Sequence, residues 1–117
     1  MAEDQKTQSP ALAASGLCYA YGDHRALNDL SLTIPSGQIF ALLGPNGSGK
    51  TTLFRLISTL APMQRGNLEI LGFSASDAQA EIRRRLGVVF QSPSLDPKLS
   101  ARENMHCQAT LYGITGR

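Results

Sequence analysis

The sequence lacks tryptophan and has few aromatic residues, few cysteines and no long apolar run. Of its 117 residues, 6% are aromatic and 17% are charged, against 42% hydrophobic, a balance typical of a globular protein and not of a disordered one. No apolar stretch approaches the ~18–20 residues that a membrane-spanning helix needs. If the protein acts at a membrane, we expect it to be attached there through a partner chain.

Charge and cysteine content exclude further classes. The formal net charge of +2 is too small to predict nucleic-acid binding. Cys18 and Cys107 lie far apart without metal-ligand spacing, and we interpret them as reduced thiols. Residues 1–10 are polar and lack the apolar core of a secretory signal, so we interpret them as a frayed tail. The chain has room for one small domain.

The first part of the sequence predicts a small antiparallel layer. Residues 12–21 are mixed apolar and small, and are interpreted as an edge strand, with a turn at residues 23–25. Leucine and isoleucine then alternate with polar residues across positions 30–34, which is the period of a half-buried strand. Residues 35–37, Pro-Ser-Gly, break that pattern.

A strand, a glycine-rich loop and a helix are predicted next. Residues 39–43 form a short continuous apolar run, typical of a strand buried on both faces. The loop follows at once. Between residues 53 and 60, apolar side chains recur at i, i+3, i+4 and i+7, which predicts one apolar helix face. Pro62 is expected to end that helix.

Further elements are predicted after Pro62. Residues 68–71 are predicted as a short strand, and Ser76 with Gln79 resembles a capping box for a helix through about Leu86. Residues 87–90 are a second apolar strand candidate. Ser100 and Glu103 form another capping-box pattern, opening a helix through Tyr112 that Gly113 would stop.

The central motif is the loop over residues 44–51, Gly-Pro-Asn-Gly-Ser-Gly-Lys-Thr. Glycines allow backbone N–H groups to approach a phosphate chain without an intervening Cβ, and the following helix adds its positive N-terminal end. This pattern between a strand and a helix predicts a phosphate-binding P-loop. The candidate binding residues are Gly44, Asn46, Gly47, Ser48, Gly49, Lys50, Thr51 and Thr52.

Three of these side chains have distinct expected roles. Lys50 supplies a positive charge that reaches the β- and γ-phosphates, so it is also a candidate catalytic residue. The Thr51 hydroxyl is a hard oxygen ligand suited to Mg²⁺. The Thr52 hydroxyl is a candidate donor to the α-phosphate.

The residue sequence of the loop resembles the corresponding motif of one family in particular. Residues 44–53 look like the Walker A motif of ABC-type ATPases, residues 21–32 resemble the family's first strands, and residues 87–91 resemble the strand leading into its Q-loop. Residues 93–104 and 111–113 are similar to ATP-binding subunits of exporters of the daunorubicin-resistance kind. The resemblance covers about residues 12–117.

The resemblance implies an ATP and Mg²⁺ site with two further residues. Tyr21 would stack on the adenine ring, with Tyr19 as a competing candidate. Gln91 would ligate Mg²⁺ or its water, act in catalysis and sense a transmembrane permease. The implied partners are that permease and a second ATPase subunit, without nucleic acid. The implied location is cytoplasmic, at the inner face of the cell membrane.

The implied fold is an α/β P-loop NTPase of ABC type, incomplete, with an N-terminal antiparallel β layer. It divides into a tail (1–10), part of the ATPase core (11–99) and the start of a helical subdomain (100–117). The family's Leu-Ser-Gly-Gly signature and Walker B strand do not occur in the sequence. We therefore expect an N-terminal piece that binds ATP with little turnover.

Other interpretations stay open. A soluble ABC ATPase acting in repair or translation, a P-loop kinase and a non-functional remnant are the alternatives. The basic run at residues 83–85 is interpreted as a solvated helix face, and His24 and His106 as structural or solvent-exposed residues.

Overall fold

The computed structural model describes residues 9–114 and 116. The chain divides into two compact units, Met1–Leu86 and Gly87–Arg117, each described here by itself. The predicted tail falls mainly on residues 1–8, which lie outside the described residues. The first unit contains β1 (Leu12–Tyr21), β2 (His24–Ile34), α1 (Lys50–Ile57), β3 (Arg65–Ile70), β4 (Phe73–Ser74) and α2 (Gln79–Arg85), and the second contains α3 (Ala101–Leu111).

The four strands form one antiparallel sheet in the order β2-β1-β3-β4. The predicted antiparallel layer is therefore confirmed, but the prediction that β1 is an edge strand is wrong. Leu12 pairs with Ile34 on one side and with Ile70 on the other, so β1 is an interior strand. β2 already begins at His24, which shortens the predicted turn.

The core of the first unit lies where α1 and α2 cover this sheet. Leu17 on β1 is fully buried, and Leu53 and Leu56 of α1 join the same apolar cluster. These two leucines are three residues apart and share one helix face, as the sequence period predicts. Ile82 brings α2 into the cluster.

Helix α1 ends earlier than predicted, at Ile57 and not near Pro62. Thr59 has a left-handed backbone with φ 60°, and the N–H groups of Leu60 and Ala61 both donate to the Arg55 carbonyl, at 2.8 and 3.1 Å. These bonds close the helix end by satisfying a terminal carbonyl. Leu60 is consequently exposed.

The capping box predicted at Ser76 and Gln79 does not form. The Ser74 carbonyl accepts from the N–H groups of Asp77 and Ala78, at 3.3 and 2.8 Å. This turn moves the N-cap to Ala78, which has no side-chain acceptor for the first helical turn.

The basic run of α2 is exposed, as predicted, but its arginines also make contacts with other residues. Arg83 Nε donates to Thr59 Oγ1 at 2.7 Å, which connects α2 to the end of α1. The hydrogen bond from Arg85 and the charge of Arg84 lower the pKa of Glu81.

Two predicted strands are absent from the described part of the chain: residues 39–43 and residues 87–90 have no regular structure. Ile39 and Val89 are almost fully exposed. A strand buried on both faces needs hydrogen-bonding neighbours and covering layers. The described sheet, β2-β1-β3-β4, includes neither of these apolar runs as a strand.

In the second unit the predicted capping box is confirmed. The Ser100 hydroxyl accepts from the Glu103 N–H at 3.2 Å, and the Glu103 carboxylate accepts from the Ser100 N–H at 2.7 Å. Gly113 follows the helix with φ 71°, the left-handed conformation typical of a helix stop. None of the described helices is both long enough and apolar enough to cross a membrane.

Candidate nucleotide-binding site

The glycine-rich loop is held against strand β2 at one point. Gly49 is the N-cap of α1 and has φ 94°. A Cβ at Gly49 would lie 2.6 Å from the Ala26 carbonyl oxygen and 2.9 Å from Leu27 Cδ2. Glycine is therefore required here both by backbone conformation and by close packing, and the sheet fixes where the loop meets the helix.

The loop also curves around the amine of Lys50. The Nζ atom donates to the carbonyls of Gly44 and Pro45, the second at 2.8 Å, and lies 3.4 Å from Ser48 Oγ. The Ser48 N–H donates to the Pro45 carbonyl at 3.2 Å. These bonds place a positive charge within the loop itself.

A cavity of about 260 Å³ opens beside this loop. None of the described residues that line it is acidic, and Lys50 adds a positive charge. The lining residues are Tyr21, His24, Ala26, Asn46, Gly47, Gly49, Lys50, Thr51 and Thr52.

The start of α1 contributes backbone donors to the same cavity. The first N–H groups of a helix have no partner within it, and Gly49 supplies no side-chain cap. Gly47 has φ 84°, and a Cβ there would meet nothing within 4 Å. Unpaired N–H groups, a helix N-terminus and a lysine amine together suit an anion such as a phosphate chain.

Tyr21 lies on the cavity wall at the end of β1. Its hydroxyl accepts from Thr52 Oγ1 at 3.3 Å, and its ring meets the ring of Tyr19 edge-on, with centroids 5.0 Å apart. Tyr21 is 42% exposed, whereas Tyr19 is buried at 9%. Of the two tyrosines, Tyr21 is therefore the one with surface available to a ligand.

The structure brings seven of the predicted binding residues to one cavity. The other two, Gly44 and Ser48, are not among its lining residues but contact the Lys50 amine. Gln91 belongs to the second compact unit, in a segment without helix or strand, and is exposed.

His24 and Ala26 line the cavity, although sequence reasoning did not select them. Their signal was their place beside Tyr21, because β2 returns antiparallel to β1 and pairs His24 directly with Tyr21. The described residues contain no group of three or more His, Cys, Asp or Glu side chains suited to a metal ion. The Thr51 hydroxyl lines the cavity and is a hard oxygen of the kind that suits Mg²⁺.

Comparison with known proteins identifies the family to which the chain belongs. The sequence pattern of the family described as "ABC transporter" matches residues 27–116. The chain belongs to the ABC transporter family. The match spans the P-loop, α1 and α3, so the resemblance seen in the sequence is confirmed.

Curated relatives are ATP-binding proteins of exporters and resistance systems. The chain is 39% identical over 107 residues to the Nod factor export ATP-binding protein I of Sinorhizobium fredii, covering 92% of this chain and 31% of that protein. It is 35% identical to the daunorubicin/doxorubicin resistance ATP-binding protein DrrA of Streptomyces peucetius, covering 90% and 32%. The chain thus spans about a third of the length of these relatives.

Solved structures agree with this assignment. An ATP-binding subunit of an ABC transporter matches with a TM-score of 0.79 and 28% identity, over 90% of this chain and 44% of that one. A dimeric ATP-binding cassette bound to ADP and Pi matches with a TM-score of 0.75 and 28% identity, over 91% and 50%. The fold corresponds to part of an ABC ATPase domain and includes an antiparallel sheet. Proteins of this family bind ATP.

Proposed function

We propose that this chain binds Mg-ATP as part of the nucleotide-binding subunit of an ABC exporter. The observation that carries this proposal is the shared cavity, because an exposed tyrosine and the P-loop line the same space. An adenine nucleotide has an apolar ring at one end and a charged chain at the other. Tyr21 and Lys50 match those two ends in chemistry.

The phosphates would be held by the loop and the first turn of α1. Backbone N–H groups between Gly47 and Thr52 donate to phosphate oxygens, while the Lys50 amine exchanges its bonds with loop carbonyls for bonds with the β- and γ-phosphates. Gly44 and Ser48 act indirectly, since both lie close to that amine. Asn46 forms part of the cavity wall.

The adenine ring would stack on Tyr21, whose flat face gives contact area without requiring a particular base edge. Thr51 would supply an oxygen ligand to Mg²⁺, and the family resemblance gives Gln91 the same role in the whole subunit. When bound, Mg²⁺ neutralises developing charge on the phosphates. Lys50 and Gln91 are accordingly the proposed catalytic residues of the whole subunit.

The proposed partners are a transmembrane permease and a second ATPase subunit, with the protein at the cytoplasmic face of the cell membrane. Support comes from the export and resistance functions in the names of its relatives and from the dimeric structural neighbour. Residues 100–117 are proposed as the start of the helical subdomain, and residues 11–99 as part of the ATPase core.

Titration calorimetry with Mg-ATP tests nucleotide binding. Lys50→Ala removes a charged donor, and a hydrogen bond to a charged group contributes about 1.5–3 kcal/mol, which corresponds to a loss of about tenfold or more. Lys98→Ala is the matched control, because Lys98 belongs to the second unit and does not line the cavity. Circular dichroism should show that both variants remain folded.

Photo-crosslinking from Ser94 in the native host tests the permease partner. Ser94 lies in the exposed segment after Gln91, which would face the permease. A crosslink to an integral membrane polypeptide supports the proposal. Crosslinks confined to soluble proteins would instead favour a soluble ABC ATPase.

A further inference from the structure

The strand that carries Tyr21 loses one neighbour before it reaches that residue. Strand β1 runs to Tyr21, whereas its pairing with β3 ends at the pair of Cys18 with Arg65. In an antiparallel ladder a residue exchanges both its N–H and its C=O bonds with one partner. The backbone groups of β1 that face β3 beyond this pair therefore need another partner.

The side chain of Gln64 supplies that partner. Gln64 directly precedes β3, which begins at Arg65. Its Oε1 accepts from the Ala20 N–H at 2.8 Å, and its Nε2 donates to the Ala20 carbonyl at 3.1 Å. A carboxamide offers a donor and an acceptor as a peptide group does, so Gln64 extends the ladder by one step. The two residues are 44 positions apart, and the bonds fasten the segment before β3 to the end of β1.

The second of these bonds bears directly on Tyr21. The Ala20 carbonyl belongs to the peptide group that leads into Tyr21, and a peptide group is planar. A bond to that carbonyl therefore also orients the Tyr21 nitrogen. On the other side, Tyr21 pairs with His24 of β2, and the chain then turns at Gly22 with φ 58°. Gln64 thus holds the β3 side of the backbone at Tyr21, and His24 holds the β2 side.

We propose that Gln64 is a positioning residue for Tyr21, which it orients for adenine through the strand backbone. Gln64 is not among the residues that line the cavity, so its effect on the nucleotide is indirect. The inference rests on the proposed binding of ATP. A ring whose backbone is already fixed loses less conformational freedom when the nucleotide binds. The phosphates are held by the P-loop, so Gln64 should influence the adenine end of the site alone.

Two ligands test this selectivity by calorimetry: Mg-ATP, which has an adenine ring, and Mg-tripolyphosphate, which has none. Gln64→Met removes both bonds and keeps the length of the side chain. We expect it to weaken Mg-ATP binding by about two- to tenfold, the range that corresponds to ordering one side chain. Tripolyphosphate affinity should stay within about twofold of the wild-type value.

A second comparison asks whether Gln64 acts through Tyr21. Tyr21→Ala removes the ring and should weaken Mg-ATP binding by itself. Adding Gln64→Met to Tyr21→Ala should change Mg-ATP affinity by less than about twofold, because no ring is left to position. A purely structural role of Gln64 would instead lower affinity equally with and without the ring.

Controls separate binding from folding. Gln108→Met makes the same chemical change at an exposed site of the second unit and should leave the affinity for both ligands unchanged. Gln64→Asn is a second test variant, because its shorter side chain withdraws the carboxamide from Ala20 but keeps its polarity. It should show the same selective loss as Gln64→Met. Urea unfolding of each variant identifies the conditions in which it is folded, and binding is compared there.

Three results would overturn the inference. Unchanged Mg-ATP affinity in folded Gln64→Met and Gln64→Asn would show that the two bonds do not matter for binding. Equal weakening of both ligands would show that Gln64 supports the whole site. Additive losses in the double variant would show that Gln64 acts independently of Tyr21. Failure of the proposed function looks different, because wild-type chain would then bind neither ligand, or Tyr21→Ala would bind Mg-ATP as the wild type does.

Discussion

Replacing Gly49 by alanine tests how the P-loop is attached to the sheet. Alanine at φ 94° enters the left-handed region, which costs roughly 1–2 kcal/mol. Its Cβ would also lie 2.6 Å from the Ala26 carbonyl oxygen, a contact with backbone that cannot rotate away. Overpacking of this kind adds about 1–3 kcal/mol. We therefore expect a total destabilisation of about 2–5 kcal/mol.

Gly47→Ala provides the matched control. Its φ of 84° is nearly the same, but a Cβ there meets nothing within 4 Å, so only the backbone cost of about 1–2 kcal/mol applies. The assay is urea unfolding followed by circular dichroism and by tyrosine fluorescence, which is free of tryptophan background in this chain. Equal shifts of the unfolding free energy for the two variants would refute the close contact with β2.

Three other predictions concern the core, α3 and turnover. Leu17→Ala, at a fully buried site, should lower the unfolding free energy by about 2–5 kcal/mol, whereas Leu111→Ala at an exposed site should change it by less than about 0.5 kcal/mol; similar losses would contradict the core assignment. Hydrogen bonds from the backbone N–H and side chain of Ser100 lower the pKa of Glu103 from its ordinary 4.5, so this stabilisation is present above pH 4.5 and is lost as pH falls through the lowered pKa. The protection factors of the α3 amides, which correct for the slower intrinsic exchange in acid, should therefore fall as pH falls, and an unchanged acid response in Glu103→Ala would show that other groups cause it. The 117-residue polypeptide should bind Mg-ATP without sustained phosphate release, since its sequence has no Walker B or signature motif; release that Lys50→Ala abolishes would contradict this.

The P-loop could be predicted from sequence because its information is local. Glycine spacing, Lys50 and the following apolar helix face all lie within a few turns of chain, and the cavity contains seven of the predicted residues. The antiparallel pairing of β1 and β2 was predictable for the same reason, since the two strands are adjacent in sequence. The contact of Gly49 with Ala26 was not predictable, because a glycine motif does not indicate which other part of the backbone will pack against it.

The apolar runs at residues 39–43 and 87–90 show the opposite case. Their composition indicates burial, but composition does not supply the neighbouring strands that a two-faced burial needs. The described sheet, β2-β1-β3-β4, includes neither run as a strand. The false capping box at Ser76 failed for a local reason, because the Ser74 carbonyl offered two N–H groups an alternative turn.

Nucleotide binding by the P-loop is tested by calorimetric titration of the 117-residue chain with Mg-ATP, in parallel with Lys50→Ala and Lys98→Ala. We expect saturable binding by the wild type and by Lys98→Ala, and affinity at least about tenfold weaker in Lys50→Ala. Equal affinity in the folded Lys50→Ala variant, or no binding by folded wild-type chain, would contradict the claim that this P-loop holds a nucleotide.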